Sequence, residues 1–228
     1  QLLAADSVMN TTPAEPSQPV EEIVSKMVAR SRWQDAALRE YGALRRFRAA
    51  NLRFNCQAFA EVLTSFRKPD FLDSSVVKRE GSQFIHDRVF EKILEAEKEM
   101  RFEKQKAQSD ILPENYDFAF ASVATCEGRP CYQLRISPKR KDKYLLNGSV
   151  WVDSGDYGIA RVRGVPTKRP SFWTLHAEID RRYKRIGQLW LTDRIDSVSN
   201  IFLAGHSTLS IEYLYQQVQG DPEFSHGS

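Results

Sequence analysis

Apolar and polar residues alternate through most of the chain after Tyr116, and no other feature of the sequence constrains the fold as strongly. The clearest apolar positions of this pattern are Leu175, Ala177, Ile179, Tyr183, Leu209, Ile211, Tyr213 and Tyr215. Successive side chains of a β-strand point to opposite faces, so this period places one face against an apolar interior and the other in water. We therefore predict one large antiparallel sheet between Tyr116 and Gln217, curved over its apolar face.

Short turns separate the predicted strands. Turn-forming residues occur at Asn147-Gly148, at 154–158 and at Ile186-Gly187. Connections this short favour a meander, in which each strand pairs with the next. The predicted strands are 116–126, 131–137, 145–153, 159–165, 174–184, 189–197 and 208–217.

Two amphipathic helices and three extended runs are predicted before the meander. A first helix is expected at about Pro19 to Trp33, followed by extended runs at 38–52, 54–66 and 75–79. A second helix begins near Gly81. The apolar face of the second helix contains Ile85, Val89, Ile93, Ala96 and Met100.

Composition indicates a single globular domain. The chain has 228 residues, of which 41% are hydrophobic, and this is enough to form a core. We predict a flexible leader at 1–19, of the kind that follows a cleaved secretion signal, one domain at 20–217 and a flexible tail at 218–228. No segment approaches the ~20 consecutive apolar residues of a transmembrane helix. The 33 basic residues face 30 acidic ones, and this balance does not indicate nucleic acid as a partner.

Known catalytic and metal-binding motifs are missing from the sequence. The histidines His86, His176, His206 and His226 are not spaced as metal ligands. Asp153 and Asp156 lie in a glycine-rich turn, where aspartate caps the backbone. We therefore predict a protein that is not an enzyme and that uses neither a metal nor another cofactor.

A cysteine pair lies at a predicted hairpin. Cys126 and Cys131 flank the four residues Glu-Gly-Arg-Pro, and a loop of that length would place the two cysteines opposite each other. A cross-strand disulfide is then feasible and implies an oxidising compartment, whereas two free thiols would be typical of the cytosol. If the two cysteines face each other, the apolar residues of the strand 116–126 fall on both faces of the sheet. Either a bulge near Ala121–Ser122 then reverses the alternation, or the sheet is covered on both faces there. Cys56 is expected to be a buried free thiol.

Two groups of surface residues are candidates for binding. The loop from Pro166 to Trp173 carries Phe172 and Trp173, which either close the mouth of a cavity or cap the end of the core. With Val89 and Ile93 of the second helix, these aromatic residues are the predicted ligand-binding residues. Basic clusters, such as the one at 181–185, fit a solvated sheet face first, an acidic partner or anionic membrane surface second, and nucleic acid third.

The order of elements and several local motifs resemble a known family. The motifs are a turn at Ser137-Pro138-Lys139, a strand ending in Trp151-Val152-Asp153 and a strand beginning Ile159-x-Arg161-Val162. From about Val20 to Gln217 the chain resembles the bacterial outer-membrane lipoprotein carrier-like superfamily (LolA/LolB-like). The resemblance implies an α+β fold, in which a large unclosed β-barrel wraps round amphipathic helices and encloses an apolar cavity for acyl chains. It also implies a periplasmic location.

Three functional hypotheses follow. The first is a periplasmic binding protein that holds a lipid or a lipoprotein acyl chain between the sheet and the helices. The second is an envelope sensor or interaction module, in which the basic sheet face, including Arg181 and Arg182, or the loop with Phe172 and Trp173 binds another protein. The third is an enzyme, which would require a polar pocket with perturbed histidines or paired carboxylates.

Overall fold

All the strands of the protein belong to one antiparallel sheet. The computed structural model describes residues 18–69, 71–99, 109–168, 174–201 and 205–220. The strands are β1 (Leu38–Asn51), β2 (Cys56–Arg67), β3 (Phe71–Gly81), β4 (Tyr116–Cys126), β5 (Arg129–Pro138), β6 (Leu146–Asp153), β7 (Ile159–Pro166), β8 (Thr174–Ile186), β9 (Leu189–Ile201) and β10 (Gly205–Gly220). Their order across the sheet is β3-β2-β1-β10-β9-β8-β7-β6-β5-β4, which confirms the predicted meander from β4 to β10.

The sheet is not closed, and helices pack on one of its faces. In the described part of the chain, β3 and β4 each pair on one side only and form the two edges. The helical elements are α1 (Val20–Ala37), α2 (Gln83–Ile85), a π-helical turn (His86–Phe90) and α3 (Glu91–Glu99). The last three are consecutive and are called segment 83–99. The predicted fold class, an unclosed barrel wrapped round amphipathic helices, is confirmed. No helix among the described residues is both long and apolar enough to cross a membrane.

The strand register defines a single inner face. One row of facing residues crosses all ten strands from β4 to β3. Its members are Phe120, Leu134, Val150, Val162, Arg181, Ile195, Ile211, Phe47, Ala60 and Arg79. Facing residues of antiparallel strands point to the same side of a sheet, so all ten positions share one face. From β4 to β2 this row is apolar at every position except Arg181 on β8.

Two separate cores cover this inner face. Helix α1 packs on strands β4 to β7, and the buried residues of this first core are Ile23, Val24, Met27, Val28, Tyr116, Tyr132, Leu134, Ile136, Leu145, Val150, Val152 and Val162. Segment 83–99 packs on β1, β2 and β10, and the second core consists of Phe47, Ala49, Ala58, Ala60, Val62, Ile85, Phe90, Ile211 and Tyr213. Strands β8 and β9 connect the two cores.

A pair of glycines brings β6 and β7 close together beside the first core. Gly148 faces Gly164 across the two strands. A Cβ atom at Gly148 would lie 2.0 Å from the carbonyl oxygen of Arg163 and 2.6 Å from the Cα of Gly164. No side chain fits at such distances, so glycine is required at position 148 by contact with the neighbouring backbone.

Several sequence predictions differ from the structure in detail. Helix α1 continues to Ala37 instead of ending near Trp33. Strand β10 continues through Gly220, and Val218 pairs with Tyr41. In segment 83–99 the π-helical turn adds a residue to one turn of the helix, so Phe90 is buried whereas Val89 is half-buried.

Candidate functional site

A cavity of about 510 Å³ lies on the inner face between α1 and strands β6 to β9. Its volume is typical of small-molecule sites, which measure roughly 300–1,000 Å³. The lining residues come from α1, the loop before β4, the loop before β6, and the sheet. They are Arg30, Ser31, Arg32, Gln34, Asp35, Ser109, Asp110, Ile111, Leu112, Tyr116, Lys143, Tyr144, Leu146, Gly158, Ile159, Val162, Ile179, Arg181, Tyr183 and Trp190.

The floor of this cavity is apolar except at Arg181. Val162 on β7 faces Arg181 on β8, and Arg181 in turn faces Ile195 on β9. Ile179, two residues earlier on β8, points to the same side and also lines the cavity. A guanidinium group therefore stands among aliphatic side chains at the middle of the sheet.

Arg181 is accessible from the cavity although protein surrounds it. The residue is exposed to solvent within the concave sheet and lines the cavity. Tyr183 raises the pKa of Arg181, Tyr213 and Glu97 act in the same direction, and the surrounding protein opposes them only in part. Arg181 is therefore a permanent positive charge that lies between the two cores.

A second arginine lies under segment 83–99. Arg45 is buried on β1, and its Nη1 donates to both carboxylate oxygens of Glu97 at 2.9 and 2.8 Å. Its Nε donates to Thr64 Oγ1 at 2.8 Å, and its Nη2 lies 3.3 Å from Ser74 Oγ. Desolvation opposes the charge of Arg45, but Glu97 and Tyr213 outweigh it and raise the pKa of Arg45. This network ties α3 to three strands.

Charged residues of α1 and of the neighbouring loops also line the cavity. Arg30 of α1 lies 3.4 Å from Asp156 in the turn after β6, and its Nη2 donates to the carbonyl of Gln188. The lining further includes Arg32, Asp35, Asp110 and Lys143. Charged residues on one side of the cavity and an apolar floor on the other suit a ligand that has one polar end and one apolar end.

The predicted ligand-binding residues lie in different places. Val89 and Ile93 are half-buried and pack against the second core, so they contact the inner face away from the cavity described above. Phe172 and Trp173 lie outside the described residues. Their contact with a ligand therefore stays a prediction.

The cysteine hairpin is tighter than the sequence suggested. Glu127 and Gly128 form a two-residue turn with φ of 50° and 78°, as in the turns that commonly connect antiparallel strands. Cys126 therefore faces Arg129, and Cys131 faces Ala124, so the predicted opposite placement of the two cysteines is wrong. The two cysteines are diagonal neighbours on one face.

Both thiols are free in this structure and pack in the same small cluster. Burial raises the pKa of Cys131 and of Cys126, and the two side chains are hydrogen-bonded to each other. Of the two alternatives left open for strand β4, the structure has the bulge, because the register shifts between Phe120 and Ser122. It places Phe118 and Phe120 on the first core.

The glycine-rich turn after β6 is structural, as predicted. The buried Asp153 accepts hydrogen bonds from the backbone N–H groups of Gly155 and Asp156 at 2.9 and 3.0 Å and from Arg129 at 2.6 and 3.0 Å. Burial opposes ionisation, but Arg129 and these N–H groups hold the pKa of Asp153 below its usual range. A Cβ at Gly158 would lie 2.1 Å from Trp190 Nε1, so this turn also fixes Trp190.

The histidines do not assemble with other catalytic groups in the described part of the chain. His86 is buried, and its Nε2 lies 3.0 Å from the carbonyl oxygen of Glu80. His176 is exposed, as predicted, and so is His206. Among the described residues no cluster of three potential metal ligands is found.

The convex face of β7 to β9 carries paired charges. Arg161 donates to both oxygens of Asp180 at 2.8 and 2.6 Å, and Arg163 Nε lies 2.5 Å from Glu178 Oε1. Arg182 lies 3.3 Å from Asp180. Arg182 and Arg181 are therefore on opposite faces, and the hypothesis that both belong to one basic binding surface is wrong.

The sequence interpretation missed the two inner arginines. Arg45 lies between the inward-facing Ala43 and Phe47, and Arg181 lies between Ile179 and Tyr183. The same alternation that identified the apolar positions assigns both arginines to the inner face. A charged residue at a position where the alternation requires an apolar one was the signal that could have identified both arginines as functional candidates.

Among known proteins, the chain is similar to several solved structures. No protein-family model matches the sequence, and no curated protein matches it. The chain is similar to a DUF1329 family protein from Desulfovibrio piger, with 13% identity, a TM-score of 0.45, and 92% of this chain and 96% of the other covered. It is also similar to a domain assigned to outer membrane lipoprotein-sorting proteins, from Vibrio parahaemolyticus, with 12% identity, a TM-score of 0.44, and coverage of 90% and 93%.

A third similar structure is a LolA superfamily protein from Nitrosomonas europaea, with 10% identity, a TM-score of 0.37, and coverage of 92% and 96%. The superfamily is the one that the sequence motifs resemble. Because the identities and TM-scores are low, the function of the chain has to be inferred from its own residues.

Proposed function

We propose that this protein binds a lipid or an acyl chain in the cavity between α1 and the sheet, without chemical conversion of the ligand. The observation that supports this most directly is the apolar row that crosses the sheet on its inner face. Helix α1 and segment 83–99 cover the two ends of that row, and the cavity floor at Val162 and Ile179 lies between them.

The energy of such binding comes from removing the chain from water. Each methylene group that enters an apolar site contributes about 0.8 kcal/mol. The aliphatic floor can accept methylene groups, and the exposed lining residues Asp35 and Lys143 can remain hydrated. The predicted contacts of Val89, Ile93, Phe172 and Trp173 with a ligand belong to the same proposal.

The proposed location is the periplasm, with peripheral contact at a membrane during loading or release. Cys126 and Cys131 are diagonal neighbours with free thiols in this structure, and in an oxidising compartment we expect them to form a disulfide. Protein purified from that compartment should show one reactive thiol, that of Cys56, when it is titrated in denaturant before reduction. Three reactive thiols would contradict the disulfide.

A cavity-filling variant tests the binding proposal. Ile179→Trp should lower the affinity for Nile red, a neutral environment-sensitive dye, and for methyl myristate by about tenfold or more, because the indole would occupy the floor. Val198→Trp is the matched control, since Val198 is an exposed aliphatic residue on the adjacent strand β9. Equal affinities of the two variants would contradict binding in this cavity. Co-purified lipid in native mass spectra would support it independently.

A second candidate function is an interaction module that binds another envelope protein. Leu52, Phe54 and Phe84 are 69%, 62% and 69% exposed, and they lie at the same end of β2. Large exposed apolar side chains that are grouped in this way are typical of binding surfaces. Site-specific photo-crosslinking in cells from position 54, with position 92 on α3 as control, tests it. One protein captured from position 54 alone would support this function, and capture of lipid alone would contradict it.

A further inference from the structure

Two of the arginines on the inner face are influenced by the same carboxylate. Arg45 and Arg181 both point inward, and Glu97 acts electrostatically on both of them. Glu97 is already bound by Arg45 Nη1 through both of its oxygens. Among the described residues, Arg181 therefore has no carboxylate of its own.

Arg181 differs in this respect from the other arginines of its surroundings. On the convex face, Arg161, Arg163 and Arg182 each have a carboxylate partner. Arg181 forms no ion pair with a carboxylate of the described residues, and its described contact is a hydrogen bond with Tyr183. A guanidinium group that is open to the cavity and has no carboxylate partner among the described residues is available to bind an anionic ligand.

The placement of Arg181 also fits an amphiphile. Its neighbours across the sheet are Val162 and Ile195, and Ile179 lies beside it on the cavity floor. A ligand whose headgroup reached Arg181 would place its chain along aliphatic side chains of the same floor. Arginine suits this role because its planar group binds carboxylate or phosphate through two parallel hydrogen bonds.

We propose that Arg181 binds the anionic headgroup of a single-chain amphiphile, such as a fatty acid or an alkyl phosphate, whose acyl chain occupies the cavity. This inference rests on the proposed function and narrows the ligand class to anions. The headgroup would lie inside the concave sheet, and the chain would extend towards α1.

The test compares ligands that share a chain and differ in charge. Myristate, tetradecyl phosphate and methyl myristate would each displace Nile red from wild-type protein, from Arg181→Gln and from Arg182→Gln. Arg182→Gln is the matched control, because it removes the same charge from the next residue on the opposite face. Arg181→Gln should weaken both anions by about tenfold or more and change methyl myristate by less than about twofold. Arg182→Gln should change none of them.

The outcomes separate this inference from the proposed function. If none of the three ligands displaces the dye from wild-type protein, lipid binding itself fails. If all three bind and Arg181→Gln affects them equally, lipid binding stands and the anion site is overturned. If inorganic phosphate displaces the dye and myristate binds no better than methyl myristate, the site binds free anions. That result would also overturn the proposed headgroup site.

The melting temperature of Arg181→Gln shows whether a loss of ligand binding is caused by unfolding of the variant. Removal of an accessible charge that has no ion-pair partner among the described residues should not destabilise the ligand-free protein. Arg181→Gln should therefore melt at or above the temperature of the wild type, and myristate should raise the melting temperature of the wild type more than that of the variant. A variant that melts clearly lower would show that Arg181 is held by structural contacts and would overturn the proposal.

Discussion

The two cores of the inner face are built differently. In the first core, α1 contributes Ile23, Val24, Met27 and Val28, all of them buried, to an apolar contact with β4 to β7. In the second core, segment 83–99 buries Ile85 and Phe90, and its last turns are held by the hydrogen-bonded pair of Glu97 and Arg45. Both helices also have an ion pair, but the pair of Arg30 and Asp156 on α1 is almost fully buried, whereas the carboxylate of Glu97 on α3 is partly exposed.

This difference indicates which of the two helical covers of the inner face can move. The carboxylate of Glu97 is 29% exposed, so water can reach it when α3 shifts. We expect segment 83–99 to open more readily than α1, and the predictions below test this expectation.

The largest effect is expected from truncation in the first core. Leu134→Ala should lower the free energy of unfolding by about 3–5 kcal/mol, because Leu134 is fully buried against α1. Leu94→Ala on α3 should cost about 1–2 kcal/mol, because Leu94 is only half-buried against the second core. Urea denaturation of both variants measures this difference, and equal losses would contradict the asymmetry.

The second-largest loss of stability is expected when the ion pair of the second core is removed. Glu97→Gln leaves the Arg45 guanidinium buried without its anion and should cost about 3 kcal/mol. Hydrogen exchange should accelerate in segment 83–99 and stay unchanged in α1. Glu91→Gln is the control, because its partner Arg79 is exposed, and it should cost less than about 1 kcal/mol. Faster exchange in α1 as well would show that the two covers open together.

The turn beside the first core should show a smaller effect that depends on pH. The pKa of Asp153 in the folded protein is lower than in the unfolded chain, so its contribution is present above about pH 4 and is lost as the pH falls through the folded value. Asp153→Asn should therefore cost about 1–2 kcal/mol at pH 7 and less in acid. Urea denaturation at the two pH values tests this, and a cost that does not change with pH would contradict it.

The smallest effect is expected on the convex face. Arg163→Gln removes an exposed ion pair with Glu178 and should change the free energy of unfolding by no more than about 0.5 kcal/mol. Dye binding should also be unaffected, since this residue faces away from the cavity. A larger loss in thermal or urea denaturation would mean that the convex face contributes to holding the sheet in its curved form.

Local pattern was sufficient to predict the elements of the fold. The strand limits follow the alternation closely because each strand has one buried and one wet face, as in the case of Tyr116–Cys126. The bulge at Ala121 was also predictable, since the apolar residues on either side of it require opposite registers. The π-helical turn was not predictable, because an i, i+4 pattern through Ile85, Val89 and Ile93 fits an ordinary helix equally well.

Long-range pairing and the candidate site could be predicted only in part. The alternation shows that Arg181 faces inward, but not that Glu97 lies near it, because that proximity requires β1 to pair with β10. Likewise, the spacing of Cys126 and Cys131 does not reveal whether the turn contains two residues or four. Two residues with positive φ produce the tighter turn, and glycine at 128 was the sign of it.

The pairing of β1 with β10 has a consequence for how the molecule assembles. Strands β2 and β3 are neighbours of β1 in sequence, and β4 to β10 form a continuous meander, so each part can form from local contacts. Leu38 pairs with Gly220, however, and contacts of such high sequence separation form slowly. The join between the two parts is at the middle of the finished sheet. Both parts therefore expose an unpaired strand edge until the last strand arrives, and the second core, which combines Phe47 of β1 with Ile211 of β10 under segment 83–99, is completed only at that step.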